Sequence, residues 1–596
     1  ATINATAESG HHGTALADAR GISDNNDSKT TASATSGDEG YSKAFTISRA
    51  GDEDAAVADA SSTSTSGDNG YAEADARSFS NDDVKTNANA TAGENGTAVA
   101  TGIAEAGSSS VDDVFLLNVL ATTGDNGTSR AEGLSSAGRD IDNVTVKAVS
   151  GDDGYSLARH NGTADRGDID NSHVIAESGD EGEATAINNG TAGHDITNMS
   201  ATAETGDDGT AIALGRAEAD HDIGEYNDDE VETNGLHVTA RGSGSSDAFA
   251  RGTAITPDDD VEDLQVEAHT RAGGTAQAQG NVQSADDVDN VRIEANANGA
   301  GGNGTAIAYG NIQANGDIEN VNVKASSWAS GHSEAKLRTV TSNDTDSDIE
   351  HAHAEAISRG SGTSIAEVYA EGGDEVNADA FASAGNGNSS IASSKAIAVS
   401  TSTNTSEDHL ASANASSEVG NRGQATSFAN AISEDDAEAF AESQLTDSLG
   451  HAFAEAKAHG EDTVEARTRT TGFTPFFGFE YANGGFISSK SSSEGRSEGG
   501  FDKERVRVRD RNNPVEADFT GVGSEIALAT PAGVEVLPEI IVPDKQDVPD
   551  MPSYEPQISS NNVDELNETE LILHNENAIL LYTNLDNGDF KIGLLV

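Results

Sequence analysis

The chain has 596 residues, 103 acidic against 34 basic, and a formal net charge of −69, which excludes the basic footprint needed to grip nucleic acid or an anionic membrane surface. It contains no cysteine, so disulfides and thiolate metal sites are excluded, and no run of about 18 apolar residues that would span a membrane as a helix. Only 35% of residues are hydrophobic and 4% aromatic, which alone would read as disorder, but the apolar residues alternate too regularly for that.

The first 30 residues already carry a repeating phrase: Ile3, Ala5 and Ala7 alternate, Gly10 to Gly13 turn, and Ala15 and Ala17 alternate again. The turn glycine recurs at Gly10, Gly37, Gly67, Gly93, Gly124, Gly151, Gly179 and Gly206, a period of about 28 residues that signals a solenoid. A second glycine follows each at Gly13, Gly40, Gly70, Gly96, Gly127, Gly154, Gly182 and Gly209. Gly-Asp-x-Gly reads as a turn in which glycine supplies φ > 0 and aspartate bonds nearby backbone N–H groups. Segments such as Met199-x-Ala201-x-Ala203 before the turn and Ala211-x-Ala213 after it place one set of side chains on each face of a strand. The inward set is mostly alanine, so the expected coil is flat and thin, with two short strands.

A second corner carries Asp-Ile/Val-x-Asn/Asp, at Asp140–Asn143, Asp168–Asn171, Asp195–Asn198, Asp260–Asp263, Asp287–Asn290 and Asp317–Asn320. Its asparagines are expected to stack from coil to coil as a hydrogen-bonded ladder. The insertion Gly224 to Gly235 reads as a surface loop. From Ser327 the repeat loosens, phenylalanine enters at or beside alanine positions, and Ala437 to Ala441 has helical propensity; the continuing period favours strand.

The repeat domain is placed at residues 1–470. Residues 471–513 then hold an aromatic cap around Phe473, Phe476, Phe477 and Phe479, a Gly/Ser-rich loop, and a basic strand in which Arg505, Arg507 and Arg509 share one face. Residues 514–560 read as a Pro-rich extended linker. Residues 561–596 form a β tail in which Asp586-Asn587-Gly588 turns an apolar hairpin ending in Phe590, Ile592 and Leu594. The Arg, Phe, Ile and Leu residues named here are the candidate self-assembly contacts.

The fifteen histidines fall into no HExxH or other metal-ligand spacing, and no nucleophile elbow or phosphate loop is present, so an enzyme is not expected. The enzyme alternative, a β-helix polysaccharide lyase, would place charged and aromatic groups in a groove, and the repeats are poor in arginine and in aromatics. Acidic turns offer hard oxygen ligands for structural Ca²⁺, with Asp152, Asp153, Asp207, Asp208, Asp168 and Asp170 the candidates. Asn-x-Ser/Thr sequons make Asn95, Asn126, Asn161, Asn189 and Asn303 candidate glycosylation sites. The outward residues do not form a regular threonine lattice of the kind that would bind ice.

The fold expected is therefore all-β: a long β-solenoid of about 28-residue coils, some 17 of them at roughly 4.8 Å each, with a C-terminal β-rich capping and assembly region. In period and turn chemistry the chain resembles, as a class, repetitive β-solenoid surface proteins such as adhesin stalks and extracellular filament subunits. That resemblance implies a secreted or cell-surface protein whose partner is a second copy of itself. A monomeric adhesin or stalk that binds a surface, a glycan or ice is the alternative. A first residue other than Met reads as a processed, exported chain.

Overall fold

The computed structural model describes residues 1–594 apart from 24–26, 52–55, 108–111, 227–231, 234, 299–302, 329–330, 342–346, 386–389, 402–408, 421–422, 434–435, 446–450, 461–462, 472–487, 498–502, 511–516, 522–567, 573–578 and 585–589. From residue 445 onward only the backbone is described, save at Ala456 and Ala458. The chain divides into two units, residues 1–528 and 529–596.

Alternating sequence becomes alternating burial. Thr14–Ile22 exposes and buries every second residue, and so do Glu183–Ala192 and Thr363–Gly372. Each coil gives one strand to each of two sheets. The first runs from Thr2–Glu8 through Ser28–Thr35 and its successors to Lys503–Asp510, and the antiparallel strand Ala517–Gly521 makes it 19-stranded. The second is an open sheet of 17 strands, because Thr14–Ile22 pairs only with Tyr41–Arg49 and, at the far end, Ser488–Ser497 pairs only with His451–Gly460. Coil stacks on coil in parallel and in register, so that Thr128, Tyr155, Glu183 and Thr210 form one column. Among the described residues no helix is long and apolar enough to cross a membrane.

The two sheets lie close enough that their inward side chains must be small. Alanine fills most inward positions, and, whereas Ile312 and Leu337 lie on the second sheet, most of the fully buried large residues, Leu117, Ile141, Ile169, Ile196, Met199, Leu236 and Leu264 among them, belong to the first. Opposite them the second sheet carries glycine. A Cβ on Gly102 would lie 2.5 Å from Val119, and one on Gly252 2.6 Å from Val266, closer than any methyl tolerates. The alanine-rich thin core expected from the sequence is present, and its counterpart is this column of inward glycines.

The turn glycines work differently from the expectation. The left-handed residue of Gly-x-x-Gly is the third, not the first: Asn69 (φ 52°), Asn95 (φ 53°), Asn126 (φ 53°), Asp153 (φ 53°) and Asp208 (φ 58°). Asn and Asp tolerate this region better than other L residues. The first glycine is required by close approach, because the aspartate of the coil beneath lies against it. A Cβ on Gly179 would overlap Asp152 Oδ1 and sit 2.7 Å from the Asp152 backbone nitrogen.

Past residue 470, where the sequence places the end of the repeat, the two sheets continue. The Gly/Ser-rich stretch is the strand Ser488–Ser497, parallel to His451–Gly460, and the basic segment is Lys503–Asp510, parallel to Thr463–Thr471. Asp436–Leu445, which holds the Ala/Glu-rich run, is a strand rather than a helix. In the insertion, Glu225–Tyr226 pairs antiparallel with Glu232–Thr233, a small hairpin. The second unit contains an antiparallel sheet of Glu568–Ile572, Ile579–Asn584 and Phe590–Leu594, which includes the expected hairpin. Of the linker expected at 514–560, Ala517–Gly521 is instead the strand paired with Lys503–Asp510, and residues 522–560 lie outside the described residues.

Stacking makes a clear prediction. Gly179→Ala should destabilise the coil by about 1–3 kcal/mol through overpacking against Asp152. Gly10→Ala, with nothing within 4 Å of the added carbon, should stay within about 0.5 kcal/mol of the parent. Chemical denaturation followed by circular dichroism reads both. Equal stability of the two variants would contradict the ladder geometry.

Candidate functional site

Both corners are built by one device, in which an aspartate carboxylate accepts the backbone N–H of the equivalent residue one coil on. At the second corner Oδ1 of Asp113, Asp140, Asp168, Asp195, Asp222, Asp260, Asp287 and Asp317 takes the N–H of Asp140, Asp168, Asp195, Asp222, Asp260, Asp287, Asp317 and Asp348, at 2.6–3.3 Å. At the first corner Asp38, Asp68, Asp125, Asp152 and Asp180 do the same at 2.9–3.2 Å. The expected ladder exists, but the first aspartate of Asp-Ile-x-Asn carries it. The asparagines are the left-handed residues that let the strand kink: Asn143 (φ 54°), Asn171 (φ 54°), Asn198 (φ 50°), Asn290 (φ 55°) and Asn320 (φ 52°). Asn198 Nδ2 also donates to Asn171 Oδ1 at 2.7 Å.

Stacking identical corners stacks like charge. Asp142 is pushed up to about 6 by burial first, then by Asp170, Asp140 and Asp113. Asp260 is pushed up to about 6 by burial and then by its acidic neighbours, against the relief of the Asp287 N–H. Asp83, Asp222, Asp286, Asp289 and Asp348 are raised by burial and neighbouring carboxylates, and Glu319 chiefly by Asp289. The second corner is thus an edge short of positive charge. Several basic residues are engaged across coils elsewhere, as in Lys29–Asp59 at 2.7 Å, Lys43–Glu73 at 2.6 Å and Lys324–Glu355 at 2.6 Å.

One polar cluster is internal. His160 is fully buried, with Nε2 2.8 Å from Ser135 Oγ and Nδ1 3.0 Å from Asn188 Oδ1 and 3.1 Å from Ser172 Oγ. Asn188 Nδ2 donates to the carbonyls of Ser172 and Ser200, both at 2.9 Å. Burial pushes the His160 imidazole down to about 4, so it is neutral near pH 7. Gly162 makes room for it, since a Cβ there would lie 2.9 Å from His160 Cε1. The sequence signal was one of register: residues 160 and 188 stand one coil apart.

The sequence-nominated residues fall in three places. Of the calcium candidates, Asp152 anchors the first-corner ladder, Asp207 donates its backbone N–H to it, and Asp153 and Asp208 are exposed left-handed residues beside it. Asp168 lies in the second-corner ladder, and Asp170 accepts from the Thr197 hydroxyl. Of these six, only Asp168 belongs to a group of converging metal-ligand atoms among the described residues. Asn95, Asn126 and Asn303 are exposed outside the strands, whereas Asn161 and Asn189 stand on neighbouring strands, with Asn189 Nδ2 donating to Asn161 Oδ1 at 2.8 Å. Arg505, Arg507 and Arg509 alternate along Lys503–Asp510, in register with Glu465, Arg467 and Arg469. Phe590, Ile592 and Leu594 lie on the last strand of the second unit, and Phe473, Phe476, Phe477 and Phe479 fall outside the described residues.

The raised acids have a testable sign. A carboxyl whose pKa is higher folded than unfolded binds protons more tightly in the fold, so its ionised form destabilises above about pH 6 and the penalty fades as pH falls toward 4. His160, depressed by burial, works the other way between about 6.5 and 4. Asp142→Asn therefore isolates one contribution. It should raise the melting temperature by about 1 °C or more at pH 7.5, with the gain gone at pH 4. Thermal melts of parent and variant at both values check this, and a gain that persists at pH 4 would assign it to another cause.

Comparison of the chain with family models, curated proteins and solved structures finds no match.

Proposed function

We propose that the chain is a non-catalytic structural subunit of an extracellular filament, a β-solenoid that self-associates. The observation that carries this reading is the use made of the polar side chains. The aspartates of both corners, the Asn188–His160 network and the cross-coil lysines all bond from one coil to the next, so the chemistry of the repeat serves stacking. Three features support association. The outer face of the second sheet brings Ile212 and Phe249 into one column, with Ile187 and Leu214 paired beside them, all half-buried and facing outward. The concentrated basic strand, with Arg505, Arg507 and Arg509, has an obvious complement in a chain of net charge −69. The strands of the second unit offer a further contact by strand addition.

A second reading, a monomeric adhesin, draws on one groove of the first sheet. There Arg241, His269, Arg271, Asn296 and Asn298 line a concave surface with Glu204, which pairs with Arg241 at 3.3 Å, a mixed polar lining suited to a glycan.

Light scattering and electron microscopy across salt and Ca²⁺ concentration separate the two. The filament reading expects multimers or fibres once screening lowers the repulsion between copies, and their loss when Arg505, Arg507 and Arg509 are changed together to Glu. A chain that stays monomeric under every condition sinks it. Glycan binding by a strictly monomeric chain, weakened by Arg271→Ala, would favour the adhesin.

A further inference from the structure

The second corner changes chemistry over two coils. The position just before the ladder aspartate is Arg139, Gly167, His194, His221, Asp259 and Asp286 in successive coils. Two imidazoles therefore sit on adjacent rungs, and the backbone joins them directly, His221 N–H donating to the His194 carbonyl at 3.2 Å. Their rings stack with centroids 4.5 Å apart and planes tilted by 37°. His194 Nδ1 lies 2.9 Å from Asp168 Oδ1 and 3.0 Å from Asp195 Oδ2. One nitrogen thus faces carboxylates from two coils, and the ligand atoms of Asp168, His194 and Asp195 lie within 4.8 Å of one another. His221 Nδ1 in turn lies 3.6 Å from Asp259 Oδ2.

We propose that His194, Asp168 and Asp195 form a binding site for one divalent d-block cation of the zinc class, with the remaining coordination taken by water. Zinc holds nitrogen and carboxylate oxygen at about 2.0–2.2 Å in a tetrahedron, which sets neighbouring ligand atoms about 3.3–3.5 Å apart. The observed nitrogen-to-oxygen spacings need to open by only a few tenths of an ångström. The carboxylates are already aimed. Asp195 Oδ1 is held by the Asp222 N–H at 3.2 Å, which leaves Oδ2 on His194, and Asp168 Oδ1 is held by the Asp195 N–H at 3.1 Å. A partner that orients a ligand in this way strengthens a metal site.

The donor set also selects the metal. All-carboxylate corners do not distinguish one hard cation from another, whereas imidazole favours zinc, cobalt, nickel and copper over calcium or magnesium. The site includes Asp168, a calcium candidate by sequence, but assigns it to a different metal. It is independent of whether the chain forms filaments.

The competing account is an imidazolium at His194 ion-paired to two carboxylates with no metal. Co²⁺ titration of the full chain, followed by visible absorption, separates the two. The site predicts the intense ligand-field bands of a four- or five-coordinate cobalt, abolished by one equivalent of Zn²⁺ and unaffected by a tenfold excess of Ca²⁺. His194→Ala should remove the bands and weaken Zn²⁺ binding at least tenfold, whereas His237→Ala, on another part of the first sheet, should leave both unchanged. Asp195→Asn keeps an amide oxygen for the Asp222 N–H. It should therefore melt like the parent yet lose cobalt, which distinguishes lost ligation from lost fold. A weak octahedral spectrum in the parent, or equal Zn²⁺ affinity in His194→Ala, overturns the proposal.

Discussion

A carboxylate that accepts the next coil's backbone N–H is the bond on which the rest of this structure depends. It recurs at both corners, between Asp38 and Asp207 at the first and between Asp113 and Glu375 at the second, so the coils where the two runs overlap are pinned at both places where the chain leaves a sheet. Corners are where backbone groups lose ladder partners, and a buried or half-buried N–H without an acceptor is costly. The aspartate answers that need from the coil beneath. At the first corner its geometry also constrains its neighbours: the residue above it is glycine, as Gly151 and Gly179 are, where a Cβ would strike the carboxylate. The turn must also pass through a left-handed residue, which draws Asn, Asp or Glu to the third position. One bond thus accounts for three features of the repeated phrase.

Thinness is the second constraint. The sheets face each other across alanine, and the large residues of the first sheet fit only where the second offers glycine, as Val119 does against Gly102. A core this shallow buries little apolar area per residue, so backbone pairing in long parallel sheets and the corner ladders carry a larger share of the order than in a globular domain. Inward serines follow the same logic. Ser62 Oγ donates to the Ala44 carbonyl, and Ser42 and Ser64 bond each other at 2.8 Å, replacing volume with hydrogen bonds.

Much of this was legible in the sequence. Period, strand alternation, alanine interior and the antiparallel pairing of Ile579–Asn584 with Phe590–Leu594 follow from spacing and turn chemistry. What the sequence concealed was assignment within a motif. In Asp-Ile-x-Asn both polar residues can accept an N–H, and only the structure shows that the aspartate spans the rung while the asparagine takes the kink. Ser488–Ser497 reads as a loop by composition, yet pairing with His451–Gly460 keeps it in a strand. The clusters at His160 and at His194 were hidden for another reason. Key pairs in them, Ser135–His160, His160–Asn188 and Asp168–His194, are 25 to 28 residues apart, and they become neighbours only when the sequence is folded at its own period and read down the columns.

That column reading also explains how such an acidic chain stacks at all. A regular coil superimposes like on like, so every acidic position becomes a row of carboxylates at coil spacing, and the repulsion within a row cannot relax without breaking register. Where the rungs alternate, as at Lys29 and Asp59, the row neutralises itself. Where they do not, as along Asp260, Asp286 and Asp289, the carboxyls are forced toward their neutral forms. Histidine at two adjacent rungs is a third solution, because an imidazole can meet the carboxylates either as a cation or as a neutral ligand beside one. The ladder holds Asp168 and Asp195 in place in both cases, so the same bond that builds the corner also sets the geometry for whatever positive charge it accepts.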